Sequence, residues 1–84
     1  MTTGIEDYGR RFGQAVAAEL RAARGRKDIT LEALAEMVGL SRSAATNYLK
    51  GRREIPMSTF LALCRALDVS PREVFQAAQD AIEQ

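Results

Sequence analysis

Residues 30–51 read TLEALAEMVGLSRSAATNYLKG, and this stretch decides the fold. Thr30 is suited to cap the start of a short helix, and Glu32 in its first turn complements the helix dipole. Leu31, Leu34, Ala35 and Val38 fall on one face of that helix. Gly39 ends it, because glycine takes the positive φ of a tight turn without steric cost. Ser41 then caps a second helix, expected from Arg42 to Lys50 and stopped by Gly51. Only Gly39, Leu40 and Ser41 separate the two, so the second must cross the first steeply. Ala35 is small where the helices approach, Leu40 fills the space beneath the turn, and Ala45, Tyr48 and Leu49 return to the core.

That is a helix-turn-helix arrangement, and it leaves Arg42, Ser43, Thr46, Asn47 and Lys50 on the outer edge of its second helix. Each type has a use in a major groove. Arginine can bond a guanine edge in two places, asparagine an adenine edge, and serine or threonine either bases or phosphates. The N-terminal residues of a recognition helix sit deepest in the groove. Arg42 and Ser43 hold that end, and Lys50, Arg52 and Arg53 follow where backbone phosphates would run. The plainer alternative is a helical hairpin within any small bundle, with Arg42 and Asn47 merely solvated. Residues 42–53 carry four cations and no acid, which favours the nucleic-acid reading.

Working outward, helical spacing continues on both sides. Tyr8, Phe12, Val16 and Leu20 recur every four residues, widened by Ala15 and Ala23, which predicts a first helix over about residues 7–24 ended by a left-handed Gly25. Pro56 introduces a helix over about residues 57–67, with Phe60, Leu61, Cys64 and Leu67 as its apolar stripe. Ser70-Pro71-Arg72-Glu73 is a capping box with proline at the first helical position, flanked by Val69 and Val74 at staple spacing. It opens a last helix over about residues 71–82, striped by Val74, Phe75, Ala78, Ala81 and Ile82. No segment alternates with period two, and no linker or repeat is visible. The expectation is one all-α domain of five helices over residues 1–84.

Composition narrows the function. Among 84 residues, 46% are apolar and none is histidine, which removes the usual general base and the commonest metal ligand. Such a short chain hides roughly 60–65% of its unfolded surface, so the core is small. The lone cysteine, Cys64, cannot form an internal disulfide and sits in an apolar helical run as a core residue. The acids form no catalytic pair, and Glu6-Asp7 suits a helix start. No phosphate-cradling glycine loop, metal cluster or nucleophile–base pair is present, so no enzyme activity, cofactor, metal or small-molecule substrate is expected. No run approaches the ~20 apolar residues of a membrane span, and the N-terminus lacks a secretory layout. The net charge is +1, yet it comes in blocks. Residues 10–27 hold six cations against Glu19, and residues 28–41 and 54–84 are acidic. Separation of this kind can give a nearly neutral molecule a basic face. Within the first block, Arg10-Arg11 is either solvated or placed to touch backbone phosphate.

The chain resembles the Cro/repressor-type (XRE) helix-turn-helix proteins of phage and bacteria from about Leu20 to Phe75. The pieces are Leu20-Arg21-x-x-Arg24, Thr30-x-x-x-Leu34-Ala35, Gly39-Leu40-Ser41-Arg42-Ser43, Lys50-Gly51-Arg52-Arg53 with Pro56, and Leu63-Cys64-Arg65-Ala66-Leu67-Asp68-Val69-Ser70-Pro71. Each is weak alone, but together, in this order and spacing, they make a specific match. The resemblance implies a five-helix, lambda-repressor-like bundle that binds double-stranded operator DNA, usually as a homodimer. Carried over by position, it implies Arg42, Ser43, Thr46 and Asn47 as base readers and Ser41, Lys50, Arg52 and Arg53 as phosphate contacts. The implied setting is the cytoplasm of a bacterial cell, with a phage-encoded origin open.

Three positions depart from the family pattern. Leu31 replaces a glutamine whose amide meets a phosphate. Leu49 replaces an acid that pairs with the arginine matching Arg24, so Arg24 is expected to pair with Glu32 or Glu36, or to face DNA or water. Ala45 replaces a larger Val or Ile, a gap that Tyr48 can fill. On the last helix the strip Ala78, Ala81 and Ile82 is the candidate dimer interface, the alternative being that Ile82 packs back near Ile5 and Tyr8. The rival function is a protein-interaction module, an antitoxin or adaptor, that uses this last helix as its working surface.

Overall fold

The structure, a computed structural model, describes residues 4–83. Its five α-helices are α1 (Gly4–Lys27), α2 (Leu31–Val38), α3 (Arg42–Leu49), α4 (Met57–Leu67) and α5 (Pro71–Ile82). No strand occurs among the described residues, in agreement with the all-α expectation. Three helices start where a hydroxyl can satisfy an orphan backbone N–H. Thr30 Oγ1 accepts from the amide of Ala33 at 3.0 Å, Ser41 Oγ from Ala44 at 3.0 Å, and Ser70 Oγ from Glu73 at 3.4 Å. Gly39 and Gly51 take the left-handed conformation after α2 and α3, with φ of 73° and 74°.

The end of α1 corrects the sequence reading. Gly25 is an ordinary helical residue, and the chain leaves the helix at Asp28, φ 56°. The amide of Ile29 bonds the carbonyl of Arg24 and that of Asp28 bonds Gly25, both at 3.2 Å, which is the Schellman closure. Ile29 decides the matter: it packs against the core, and a helix stopped at Arg24 would carry it elsewhere. Aspartate tolerates the left-handed region better than most residues. The same closure recurs at Asp68, φ 55°, where Val69 is the apolar residue folded back. Arg24 does not pair with Glu32 or Glu36. Its Nη1 donates to the carbonyl of Ile29 at 2.8 Å, tying down the same turn.

α1 is the spine: it packs against α5, α4 and α3, while α2 packs against α3 and α4. Leu20, Leu34, Leu63, Leu67 and Cys64 are the largest side chains sealed in the core. On α4 the inward stripe is Phe60, Leu63, Cys64 and Leu67; Leu61, expected there, is 47% exposed. Both choices fit a run of four apolar residues, and the three-four spacing through Leu63 is the one that faces α1 and α2. Tyr8, also expected in the core, is 43% exposed and meets Phe12, itself packed against the core, at a ring-centroid distance of 6.1 Å. Phe75 stacks on Phe60 (4.8 Å, 6° between planes) and meets Phe12 edge-on at 5.9 Å, yet keeps one side open to solvent.

The α5 strip is also revised. Ala78 is fully buried in the core beside Val74, one helical turn away, because α5 lies along α1. It is therefore not part of a free dimer surface. Ala81 is exposed and Ile82 half-buried, with the Ile82 carbonyl accepting from Arg11 Nη2 at 3.0 Å. Among the described residues no helix is long and apolar enough to cross a membrane.

Candidate nucleic-acid interface

Two residues of α3 anchor it from behind. Ala45 is fully buried and Leu49 nearly so, and Tyr48 is buried beside them at 7% exposure. With that face held, the opposite edge must point outward. Ser41, Arg42, Ser43 and Lys50 are exposed, whereas Thr46 and Asn47 are half-buried. The expected edge is therefore open at both ends and half-covered in the middle. No acidic residue lies on α3 or in the loop to Arg53.

Arg42 is not free. Its Nη1 lies 3.3 Å from Glu32 Oε2 across the turn, with the two side chains 70% and 61% exposed. Arg42 thus takes the carboxylate, Glu32, that the sequence reading had offered to Arg24. An exposed pair of this kind contributes at most about 1 kcal/mol to the fold, so its interest is in where it holds a guanidinium.

The basic loop after α3 is organised by two contacts that local sequence does not announce. The Arg53 guanidinium lies over the Tyr48 ring, 5.2 Å from its centroid, which ties the loop to the helix. From α1, an Arg21 guanidinium nitrogen donates to the carbonyl of Leu49. That places a cation at the C-terminal end of α3, where the dipole favours it. Lys50, Arg52 and Arg53 are all exposed, so three cationic side chains lie together beyond the end of α3. Arg21 is the member that residue-type reasoning missed; the pattern Leu20-Arg21-x-x-Arg24 carried it without saying what it does.

Beside this loop runs a groove of about 540 Å³ between the N-terminal half of α1 and the segment joining α3 to α4. Arg10, Arg52 and Arg53 line it together with Phe12 and Phe75. Arg10 and Arg11 both pair with Asp7, Arg11 at 4.0 Å, so their charge is partly answered within α1. Cys64 is a buried thiol, and burial pushes it above the ordinary thiol range, as befits a core residue.

Comparison with known proteins agrees with this geometry. A family model described as helix-turn-helix matches residues 20–74. Two solved structures of the clp gene regulator ClgR from Corynebacterium glutamicum are similar to the chain. One has a TM-score of 0.81 at 29% identity, covering 86% of this chain and 77% of that one. The other has a TM-score of 0.78 at 30% identity, covering 83% and 91%. Comparison with curated proteins finds no match.

Proposed function

The chain belongs to the helix-turn-helix family whose model spans residues 20–74, and on that premise we propose that it is a sequence-specific regulator of transcription. It binds double-stranded DNA through the major groove and represses by occupying its operator. The observation that carries this reading is the open, acid-free edge of α3, led by Arg42 and continued by Lys50, Arg52 and Arg53. The likeness to a protein described as a gene regulator supports it.

The roles divide along the edge. Arg42 and Ser43 read base edges near the groove floor, with Asn47 and Thr46 one turn further along. Ser41, Lys50, Arg52 and Arg53 meet phosphates, which fix register and supply most of the salt-sensitive affinity. Two copies bind a palindromic operator, with half-sites about 34 Å apart, one turn of DNA. Ala81 and Ile82 are the part of α5 left to join them, Ala78 being sealed in the core.

Selection of bound duplexes from a random-sequence pool at moderate salt tests the reading. The expected product is a two-fold symmetric consensus. A pool that emerges without any enriched sequence would overturn it. Sedimentation at micromolar concentration tests the dimer, which Ala81→Glu should dissociate; a monomer that fills one half-site at a time would refute it.

A further inference from the structure

We infer that Glu32 is a specificity-determining positioning residue: it holds Arg42 for base reading and keeps that arginine from contributing indiscriminate phosphate affinity. The inference rests on the reading of Arg42 as a base contact and goes on to say what governs that contact. The observation is the 3.3 Å approach of Glu32 Oε2 to Arg42 Nη1, made between the first turn of α2 and the first turn of α3.

Three physical points carry it. First, a guanidinium has five N–H donors in a planar fork, so a carboxylate on one nitrogen leaves another edge free for the O6 and N7 of guanine. Second, the pair is more than half exposed on both sides, so the carboxylate stands where DNA would arrive. There it repels phosphates, and it offsets the arginine's attraction for them. On a non-cognate sequence, a phosphate approaching Arg42 meets the Glu32 carboxylate beside it, so the arginine bonds phosphate at full strength only by leaving Glu32 bare against a polyanion. Third, a guanine in the right place satisfies the free edge without breaking the pair. Glu32 weakens binding to most sequences and spares those that present the guanine, which widens the difference between right and wrong sites.

A gap in the α2 pattern points the same way. Leu31 is half-buried against the core at the helix start and offers no polar head to the DNA, so the polar side chain reaching α3 from that turn is Glu32.

The test uses the selected consensus duplex, the three duplexes that replace the base pair where Arg42→Ala loses its preference, and a random-sequence duplex. Wild type, Glu32→Gln, Arg42→Ala and the double variant are titrated on each at several salt concentrations. Glu32→Gln should tighten binding to the random duplex and steepen its salt slope by up to about one, as an arginine freed for phosphate requires. It should also cut discrimination at the Arg42 base pair by about tenfold while leaving other positions unchanged. In the double variant the loss of base discrimination should vanish against Arg42→Ala alone, and the gain on random DNA should shrink to what relief of the direct repulsion between Glu32 and phosphate supplies. If Glu32→Gln shifts all duplexes alike and leaves base preference intact, the inference falls while the base-reading role of Arg42 stands. If Arg42→Ala relaxes no base pair, that role falls and takes the inference with it. Glu32→Asp adds a control: it keeps the charge but shortens the reach, so it should lose discrimination without gaining random-duplex affinity, and an Asp variant indistinguishable from wild type would count against a contact role.

Discussion

The Arg53 guanidinium rests 5.2 Å from the centre of the Tyr48 ring, so a residue buried on the core side of α3 also holds the basic loop that follows it. Arg53→Ala should weaken binding to every duplex alike and flatten the salt slope by about one. Tyr48→Leu keeps the charge but removes its platform, so the slope should survive while affinity falls by less than in Arg53→Ala. Titration against salt checks both, and an unchanged slope in Arg53→Ala would remove that residue from the phosphate contacts.

Two glycines distinguish the ends of α1 and α2. Gly39 has φ 73° with open space around a would-be Cβ, so Gly39→Ala should cost the left-handed penalty alone, about 1–2 kcal/mol. Gly25 is helical with equally open surroundings, so Gly25→Ala should stabilise by about 0.5–1 kcal/mol. Urea unfolding measures both. A destabilised Gly25→Ala would restore the left-handed cap that the structure places at Asp28.

Leu34 is fully buried and Leu61 is 47% exposed. Leu34→Ala should cost about 2–5 kcal/mol, a large part of what an 84-residue chain has. Leu61→Ala should stay within about 0.5 kcal/mol. Thermal unfolding of the two variants discriminates the α4 stripe seen here from one running through Leu61.

Burial raises the Cys64 thiol above its ordinary range, so the unfolded chain ionises at lower pH than the folded one. The associated stability is intact below the ordinary thiol value of about 8.5 and is lost as pH climbs from there toward the folded value. Comparing urea midpoints of wild type and Cys64→Ala at neutral and alkaline pH isolates the effect from tyrosine and lysine titration. The wild type should lose more stability on alkalinisation than the variant, and a thiol reagent should modify Cys64 only as fast as the chain opens.

Much of this fold was legible because α2, α3 and α5 begin at hydroxyl caps, and α2 and α3 stop at glycines. These are local signals needing no knowledge of neighbours. Where two local signals competed, sequence could not choose: Gly25 and Asp28 both can turn left-handed, and the burial of Ile29, a tertiary matter, selects Asp28. Leu61 and Leu63 competed in the same way within one apolar run. At the candidate interface, the acid-free edge of α3 was visible as composition. The pairing of Arg42 with Glu32 and of Arg21 with the Leu49 carbonyl was not, since each depends on how separate helices are set against one another. Ala78 shares an apolar strip with Ala81 and Ile82, and only the packing of α5 against the bundle shows that it is buried while Ala81 is exposed.

The central claim, that the outer edge of α3 reads bases through Arg42, is tested most directly by titrating Arg42→Ala against the selected duplex and a random duplex in the same buffer. The account predicts a loss of about 1–3 kcal/mol on the selected duplex, specificity relaxed at one base pair, and little change on random DNA. Equal losses on both duplexes would contradict it.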